Sequence, residues 1–337
     1  MSGTVGVGVI GLGFMGWRHI AAYRAARDAG FACELRAVCD SDPARWEAGA
    51  AAGNLGDGAA ALTESERRAV RVYGDVDEML HDPAVQLVSV CTYTDSHVDL
   101  ALRAMAAGKH VLVEKPIALE AAEVRRLADA AAKASTLCMP AMCMRFWPGW
   151  EWLHDRVKDG SLGRVRSATF TRLGSPPGWA SGFYSDFSRS GGALVDLHIH
   201  DTDFVVWCFG RPRSVASTGS LAHVTTLYRY GADGPALVSA EGGWSLSPSA
   251  GFRMRYVVCF DEGTAEFDLS KSPVLTLHTA EGSRGIEVPL GTGYDGEVRH
   301  IVGVIASGGR ALRATMEDAA VVAEVLESER RGVTGER

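Results

Sequence analysis

Residues 111 to 116 read Val-Leu-Val-Glu114-Lys115-Pro116, a short apolar strand ending in a carboxylate, an ammonium and a ring-locked turn. Open α/β folds bind ligands at the carboxyl edge of their sheets, and this strand would deliver a cation there. Pro116 fixes its own φ and restricts Lys115, so the amine is carried on stiff backbone. Taken alone, the tripeptide reads equally well as a surface Lys–Glu pair beside a turn. A second group stands upstream. Gly11-Leu12-Gly13-Phe14-Met15-Gly16 follows the apolar run Val5–Ile10 and opens a stretch of helical composition over 14–28. Asp40 ends the next strand, 24 positions after Gly16 (40 minus 16). Such glycines allow a tight turn and let a pyrophosphate approach a helix N-terminus, while the carboxylate can hold a ribose diol. Asp40 would repel a 2′-phosphate, which favours NAD; Arg45, one turn on, leaves NADP open.

The third group is Ser190-Gly-Gly-Ala-Leu-Val-Asp196-Leu-His198-Ile-His200-Asp201-Thr-Asp203. On a strand, His198 and His200 would point the same way, in a pattern resembling the metal-binding strand of amidohydrolases. On a helix, Asp196, His200, Asp203 and Trp207 form one stripe and His198 points nearly opposite. Phe204, Val205, Cys208 and Phe209 continue an apolar arc away from that stripe, so the helix fits better. A metal would also need ligands from His223, His278 or His300, which sit in no recognisable motif. We therefore expect no metal, and His198 as a packed or hydrogen-bonded core residue.

These groups need elements to position them. Strands are expected at Val5–Ile10, Leu35–Cys39, Leu87–Thr92, Val111–Val113 and Thr136–Met142, with helices at 14–28, His97–Ala107 and Leu119–Ala134. This alternation predicts a doubly wound parallel sheet. Gly53–Ala69 reads as an insertion, partly loop and partly short helix. From Trp147 the texture changes to longer strands, at 165–173, 215–220, 224–230, 236–244, 253–260, 264–269 and 274–277, which predicts a largely antiparallel sheet. The expected division is 1–142, then an α+β domain over 143–314, then a helix within 315–337 whose packing partner the sequence leaves open.

At 337 residues two domains are expected. The 41 acidic and 34 basic residues give a net charge of -7, which argues against nucleic acid or an anionic membrane as partner. No apolar run approaches a membrane span, and the N-terminus lacks the pattern of a signal peptide. Seven scattered cysteines without C-x-x-C suit reduced thiols and the cytoplasm.

Together, the glycine turn, Glu114-Lys115-Pro116 and Gly-Gly-x-x-x-Asp196-x-x-x-His200, at this separation, resemble the glucose–fructose oxidoreductase, inositol dehydrogenase and rhizopine catabolism (Gfo/Idh/MocA) family. Cys91-Thr92-Tyr93-Thr94-Asp95-Ser96-His97, Arg145-Phe146 and Tyr294-x-x-Glu297 extend the likeness over nearly the whole chain. Tyr93 stands where the family commonly has Pro, and His198 where a small residue is usual. The resemblance implies an N-terminal Rossmann domain and a C-terminal domain whose open sheet makes dimer or tetramer contacts. It also implies NAD(P)-dependent oxidation of sugars or cyclitols, with Lys115, Asp196 and His200 in the active site. The cofactor would then be held by Gly11, Gly13, Phe14, Met15, Gly16, Asp40, Arg45, Thr92, Tyr93, Glu114 and Lys115. His97 would lie beside it or cap its own helix. Arg145, Tyr184, Trp179, Tyr294 and His200 are expected toward the substrate, with Tyr184 the first wall candidate. Other large aromatics, among them Trp147, Trp150, Trp152, Phe183 and Trp244, serve cores and interfaces at least as often as sugar sites.

In that reading His200 is the general base, since imidazole titrates near neutral pH. Lys115 stabilises developing alkoxide charge and keeps His200 neutral. Asp196 orients His200, binds a neighbouring hydroxyl, or positions its helix through a salt bridge. Competing readings are an NAD-retaining glycoside hydrolase of the same family, a metal-dependent hydrolase and a non-catalytic dinucleotide-binding protein.

Overall fold

The structure, a computed structural model, describes residues 3–47, 49, 59, 61–178, 180–232 and 234–335. Their backbone divides into two compact units, Met1–Cys143 with Gly293–Ala320, and Met144–Thr292 with Val321–Arg337.

The first unit opens with β1 (Val5–Ile10), α1 (Phe14–Asp28), β2 (Cys33–Cys39) and α2 (Glu64–Ala69). It continues through β3 (Arg71–Tyr73), α3 (Val76–Leu80), β4 (Leu87–Val90) and α4 (Thr94–Ala106). Then come β5 (His110–Val113), α5 (Ala121–Lys133) and β6 (Cys138–Pro140). The six strands are parallel in the order β3-β2-β1-β4-β5-β6. Strand order therefore reverses between β1 and β4, the switch point where doubly wound sheets open a crevice. Every residue of β1 and β4 is buried, because helices cover both faces of such a sheet. Between β2 and β4 the sequence pattern does not announce the short β3 edge strand or α3, whose Asp75 cap accepts from the amides of Asp77 and Glu78. In the 53–69 segment a capping box of Thr63 and Glu66 starts α2, while 51–58 and 60 lie outside the described residues.

The second unit runs through α6 (Trp150–Asp159), β7 (Val165–Leu173), α7 (Ser181–Tyr184), α8 (Phe187–Ser190), α9 (Gly192–Asp196) and α10 (Ile199–Phe209). Seven strands follow: β8 (Ser214–Ser220), β9 (His223–Arg229), β10 (Leu237–Gly243), β11 (Arg253–Phe260), β12 (Thr264–Asp268), β13 (Leu275–Thr279) and β14 (Gly282–Gly285). They form an eight-stranded sheet with β7, ordered β14-β13-β12-β11-β7-β10-β9-β8, antiparallel except for β10 on β7. One face carries an aromatic core. The Trp150 ring meets Phe204, Tyr256, Phe170 and Phe267 at centroid distances of 4.7, 5.3, 5.7 and 6.1 Å. Trp150 is therefore a core residue, with ring pairs of the edge-on kind that aromatic quadrupoles favour. The other face leaves Leu227, Leu237 and Val257 exposed.

Two helices end the chain, α11 (Gly293–Ala306) and α12 (Met316–Thr334). Here the structure departs from the expected division at 142 and 314. Helix α11 packs on α1 within the first unit, and α12 belongs to that unit up to Ala320 and to the second from Val321. Among the described residues, no helix is long and apolar enough to cross a membrane.

Candidate active site

In the first unit Ile10, Val90 and Val113 stand in register across β1, β4 and β5. The residues that follow them, Gly11, Cys91 and Glu114, therefore emerge side by side at the carboxyl edge. Gly11 has a φ of 87°, a conformation that L side chains rarely adopt. A Cβ on Gly16 would fall 1.8 Å from the Gly11 carbonyl oxygen, so only glycine lets α1 start this close to the turn. Asp40 is held on both carboxylate oxygens: Leu12 N–H donates to Oδ2 at 2.7 Å and Asp42 N–H to Oδ1 at 2.9 Å. The Trp46 indole donates to the Asp40 carbonyl at 3.0 Å. Arg45 reaches back over the turn, its Nη1 3.9 Å from where a Gly13 Cβ would lie. A bare backbone cradle, a helix N-terminus, an oriented carboxylate and a cation thus surround one turn, and they fit a dinucleotide.

The Lys115 turn is braced from beneath. Glu114 is buried, and its Oε2 accepts the backbone N–H of Lys115 at 2.9 Å while Oε1 lies 2.9 Å from Nε2 of His19. Burial alone would raise this carboxyl, yet the hydrogen bond and charge of His19, with the Lys115 ammonium, hold it below the usual carboxylate range. His97 is buried in α4, with Nδ1 2.9 Å from the Pro116 carbonyl and Nε2 3.0 Å from that of Thr92. Burial pushes its imidazole below the ordinary value despite those carbonyls. His97 thus ties the Pro116 turn to the end of β4; it is not the helix cap, a position that Tyr93 occupies. Thr92 and Ser96 hydroxyls meet at 2.7 Å on the same turn. Tyr294 lies in α11 under the Arg18 guanidinium, 5.4 Å from its ring centre.

In the second unit, the expected single helix through Asp196 and His200 is broken. The Ala193 carbonyl accepts from both Leu197 and His198, at 2.9 and 2.8 Å, and the second bond is a five-residue, π-type turn. The turn separates two consecutive helices, Asp196 ending the first and His200 standing in the second. Asp196 is half-buried in α9, whereas His200, 7% exposed, stands in the first turn of α10. The strand-like, amidohydrolase reading is overturned by this helical backbone. The group of His, Cys, Asp or Glu ligands found close together among the described residues, His19, Glu114 and Glu297, includes neither His198 nor His200.

Other predicted residues belong to the frame. Arg145 is 1% exposed and forks onto Asp203, with Nε 3.1 Å from both carboxylate oxygens and Nη2 2.7 Å from Oδ1. The sequence reading placed it toward substrate; its burial and that pair make it a brace for α10. Trp179 lies outside the described residues. Tyr184 packs edge-on to Trp244 at 5.6 Å, in a cluster with Ala193 and Leu197 that backs the π-type turn. His198 is fully buried, 3.3 Å from both the Tyr228 hydroxyl and Glu329 Oε2, a hydrogen-bonded core histidine as expected. Thr202 donates to Glu329 at 3.2 Å and pairs with Tyr228 at 3.0 Å.

The sequence reading missed the Arg172–Asp201 pair, with bonds of 2.9 and 3.0 Å and side chains 3% and 0% exposed. A signal existed: Ala168, Phe170 and Arg172 alternate on the buried face of β7, and a cation there needs a counter-charge. Glu297 enters the sequence pattern only through Tyr294-x-x-Glu297.

The parallel sheet, the glycine turn and the Asp40 carboxylate held beside it define the first unit as a dinucleotide-binding Rossmann domain. Residues 5–142 match the profile of an oxidoreductase family with an NAD-binding Rossmann fold, and residues 150–266 match the GFO/IDH/MocA C-terminal domain. The chain belongs to the GFO/IDH/MocA oxidoreductase family. It is 32% identical over 142 residues to the myo-inositol 2-dehydrogenase of Thermotoga maritima, covering 42% of this chain and 41% of that enzyme. The chain thus aligns with half or less of the length of the first curated relatives it matches. Its fold is similar to that of levoglucosan dehydrogenase in complex with NADH and L-sorbose, with a TM-score of 0.83, 21% identity, and 99% of this chain and 98% of that one covered. GenD2 from gentamicin A biosynthesis, in complex with NAD, is 26% identical with a TM-score of 0.79, over 100% of this chain and 96% of that one.

Proposed function

We propose that this protein is an NAD-dependent dehydrogenase that oxidises a secondary alcohol of a sugar, a sugar derivative or a cyclitol. One observation carries the reading: a buried carboxylate mounts Lys115 at the same sheet edge as the glycine turn and Asp40. Relatives named for inositol and levoglucosan point to the same substrate class. Gly11, Gly13, Phe14, Met15, Gly16, Asp40 and Arg45 would hold the dinucleotide, and Thr92, Tyr93, His97, Glu114 and Lys115 would border its reactive end. The nicotinamide, when bound, supplies the hydride acceptor. As the C–H hydride leaves, the hydroxyl proton passes to a ring nitrogen of His200, and Lys115 donates a hydrogen bond to the oxygen as charge develops. Asp196 orients His200 or binds a neighbouring hydroxyl, with Tyr184 and Tyr294 toward the substrate.

The partly apolar outer face of the C-terminal sheet, with Leu227, Leu237 and Val257, is the proposed contact of a homodimer or homotetramer. Light scattering tests this, and a monomer at micromolar concentration would refute it. A cytoplasmic location is part of this proposal, and the seven thiols, all free in the fold, suit a reducing compartment.

The purified protein should form NADH with at least one member of a panel of sugars, sugar phosphates and inositols. Release of bound cofactor is followed in parallel. No NADH from any member, with cofactor retained through glycoside cleavage, would replace this reading by the redox-assisted hydrolase.

A further inference from the structure

Beneath the Lys115 turn, the first unit encloses two carboxylates and an imidazole. His19 Nε2 lies 2.9 Å from Glu114 Oε1 and 3.8 Å from Glu297 Oε1, and side-chain exposures are 0%, 5% and 0%. One ligand atom from each of the three lies within 4.8 Å of the others. Both oxygens of Glu297 lack a hydrogen-bond partner among the described residues. Two ionised carboxylates cannot share so small a dry space without donors between them.

We propose that Glu114 and Glu297 share a single proton, carried by Glu297, and that this buried pair with His19 is the positioning device of Lys115. The inference rests on the dehydrogenase reading for its functional part only. Donors decide which carboxyl is ionised. Glu114 receives the Lys115 N–H and faces His19, so its charge is met. Nδ1 of His19 is engaged by the Ser89 hydroxyl at 3.1 Å, which also meets Tyr23 at 2.8 Å. Among the described residues no donor comparable to these reaches Glu297. The groups around it are His19 and Tyr23 from α1, Cys91 after β4, Glu114 after β5, and Asp295 and Tyr294 of its own helix, the last overlain by the Arg18 guanidinium. Burial, then the charges of Glu114 and Asp295, push the Glu297 carboxyl well above its ordinary value. With one proton held, the two carboxyls carry one negative charge between them, on Glu114, which faces His19 and the adjacent Lys115 ammonium. A second ionisation would draw the His19 proton toward Glu297 and loosen the grip of Glu114 on the Lys115 amide. Glu297 acts through Glu114, which makes it a positioning residue.

Infrared spectroscopy of the full-length protein at neutral pH tests this directly. The wild type should show the carbonyl stretch of a protonated carboxyl, shifted in heavy water and absent from Glu297→Gln. The Gln variant, a neutral isostere, should keep kcat and KM within about threefold, whereas Glu297→Ala should lose kcat about tenfold or more. Glu297→Gln should also move the alkaline limb of the pH–rate profile upward, since the amide cannot ionise. If Glu297→Gln does not fold, wild type labelled with 13C-glutamate replaces it: the acid band must shift with the label. No acid band in the wild type overturns the proposal. So does a stoichiometric divalent metal found by elemental analysis and lost in Glu297→Gln. So does a loss of kcat of about a hundredfold in a folded Glu297→Gln variant. Because the band needs no substrate, it is read even if no sugar proves active.

Discussion

Leu12 donates its backbone N–H to Asp40 Oδ2 at 2.7 Å, so the turn after β1 is tied to the end of β2. The carboxylate that would hold a ribose diol is thus already oriented by the turn that would hold the phosphates. Charged hydrogen bonds of this kind contribute about 1.5–3 kcal/mol each. Asp40→Ala should therefore weaken NADH by about tenfold or more, and NADPH far less, because the same change removes repulsion of a 2′-phosphate. Fluorescence titration with both cofactors measures it, and an equal loss for the two would eliminate the diol role.

Lys115→Ala and His200→Ala should each lower kcat by about 10²–10⁴-fold while NAD still binds. Stopped-flow NADH formation with the best sugar of the panel is the measurement. Near-wild-type turnover in either folded variant would strike that residue from the mechanism.

The Arg145–Asp203 pair is sealed at 1% exposure on each side, so its members cannot fall back on water. Asp203→Ala would leave an uncompensated buried guanidinium, and the expected destabilisation is about 3–5 kcal/mol. Urea unfolding checks this, with Asp99→Ala, whose carboxylate is 71% exposed, as the surface control. A loss for Asp203→Ala as small as the control's would show that the pair is solvated.

Glu66 supplies the pH dependence. Burial raises its carboxyl, but hydrogen bonds from Arg24 and from the amide and hydroxyl of Thr63 outweigh this and bring it from 4.5 to about 2. A folded value below the unfolded one means that stability is present in full above about 4.5 and lost as pH falls toward 2. The stability gap between wild type and Glu66→Gln, by urea titration, should accordingly be largest near neutral pH and shrink below pH 4.5. A gap constant across that range would contradict the pairing.

Much of this molecule was legible in the chain because its signals are local. The buried strands Val5–Ile10 and His110–Val113 announce themselves by unbroken or nearly unbroken apolar runs, and Arg253–Phe260 by alternation. The glycine turn with Asp40 sits inside one βαβ stretch, so spacing alone carries it. The pattern also placed His198 away from the Asp196 and His200 stripe, and the fold buries it against Tyr228 and Glu329.

Other features depend on residues far apart along the chain, and no periodicity reports them. Arg145 reads as a binding residue until Asp203 arrives from 58 positions away to neutralise it. The π-type turn at Ala193 depends on how α9 and α10 pack, and it breaks a stripe that helical spacing had drawn as continuous. Helix α11 leaves the sequence neighbourhood of the second unit and returns to α1, which alone brings Glu297 within 3.8 Å of His19. Residue types and spacing determined which groups could do chemistry and on which strands they ride. Burial decided their charge states, because a carboxylate's protonation depends on the donors and charges that tertiary packing brings within reach.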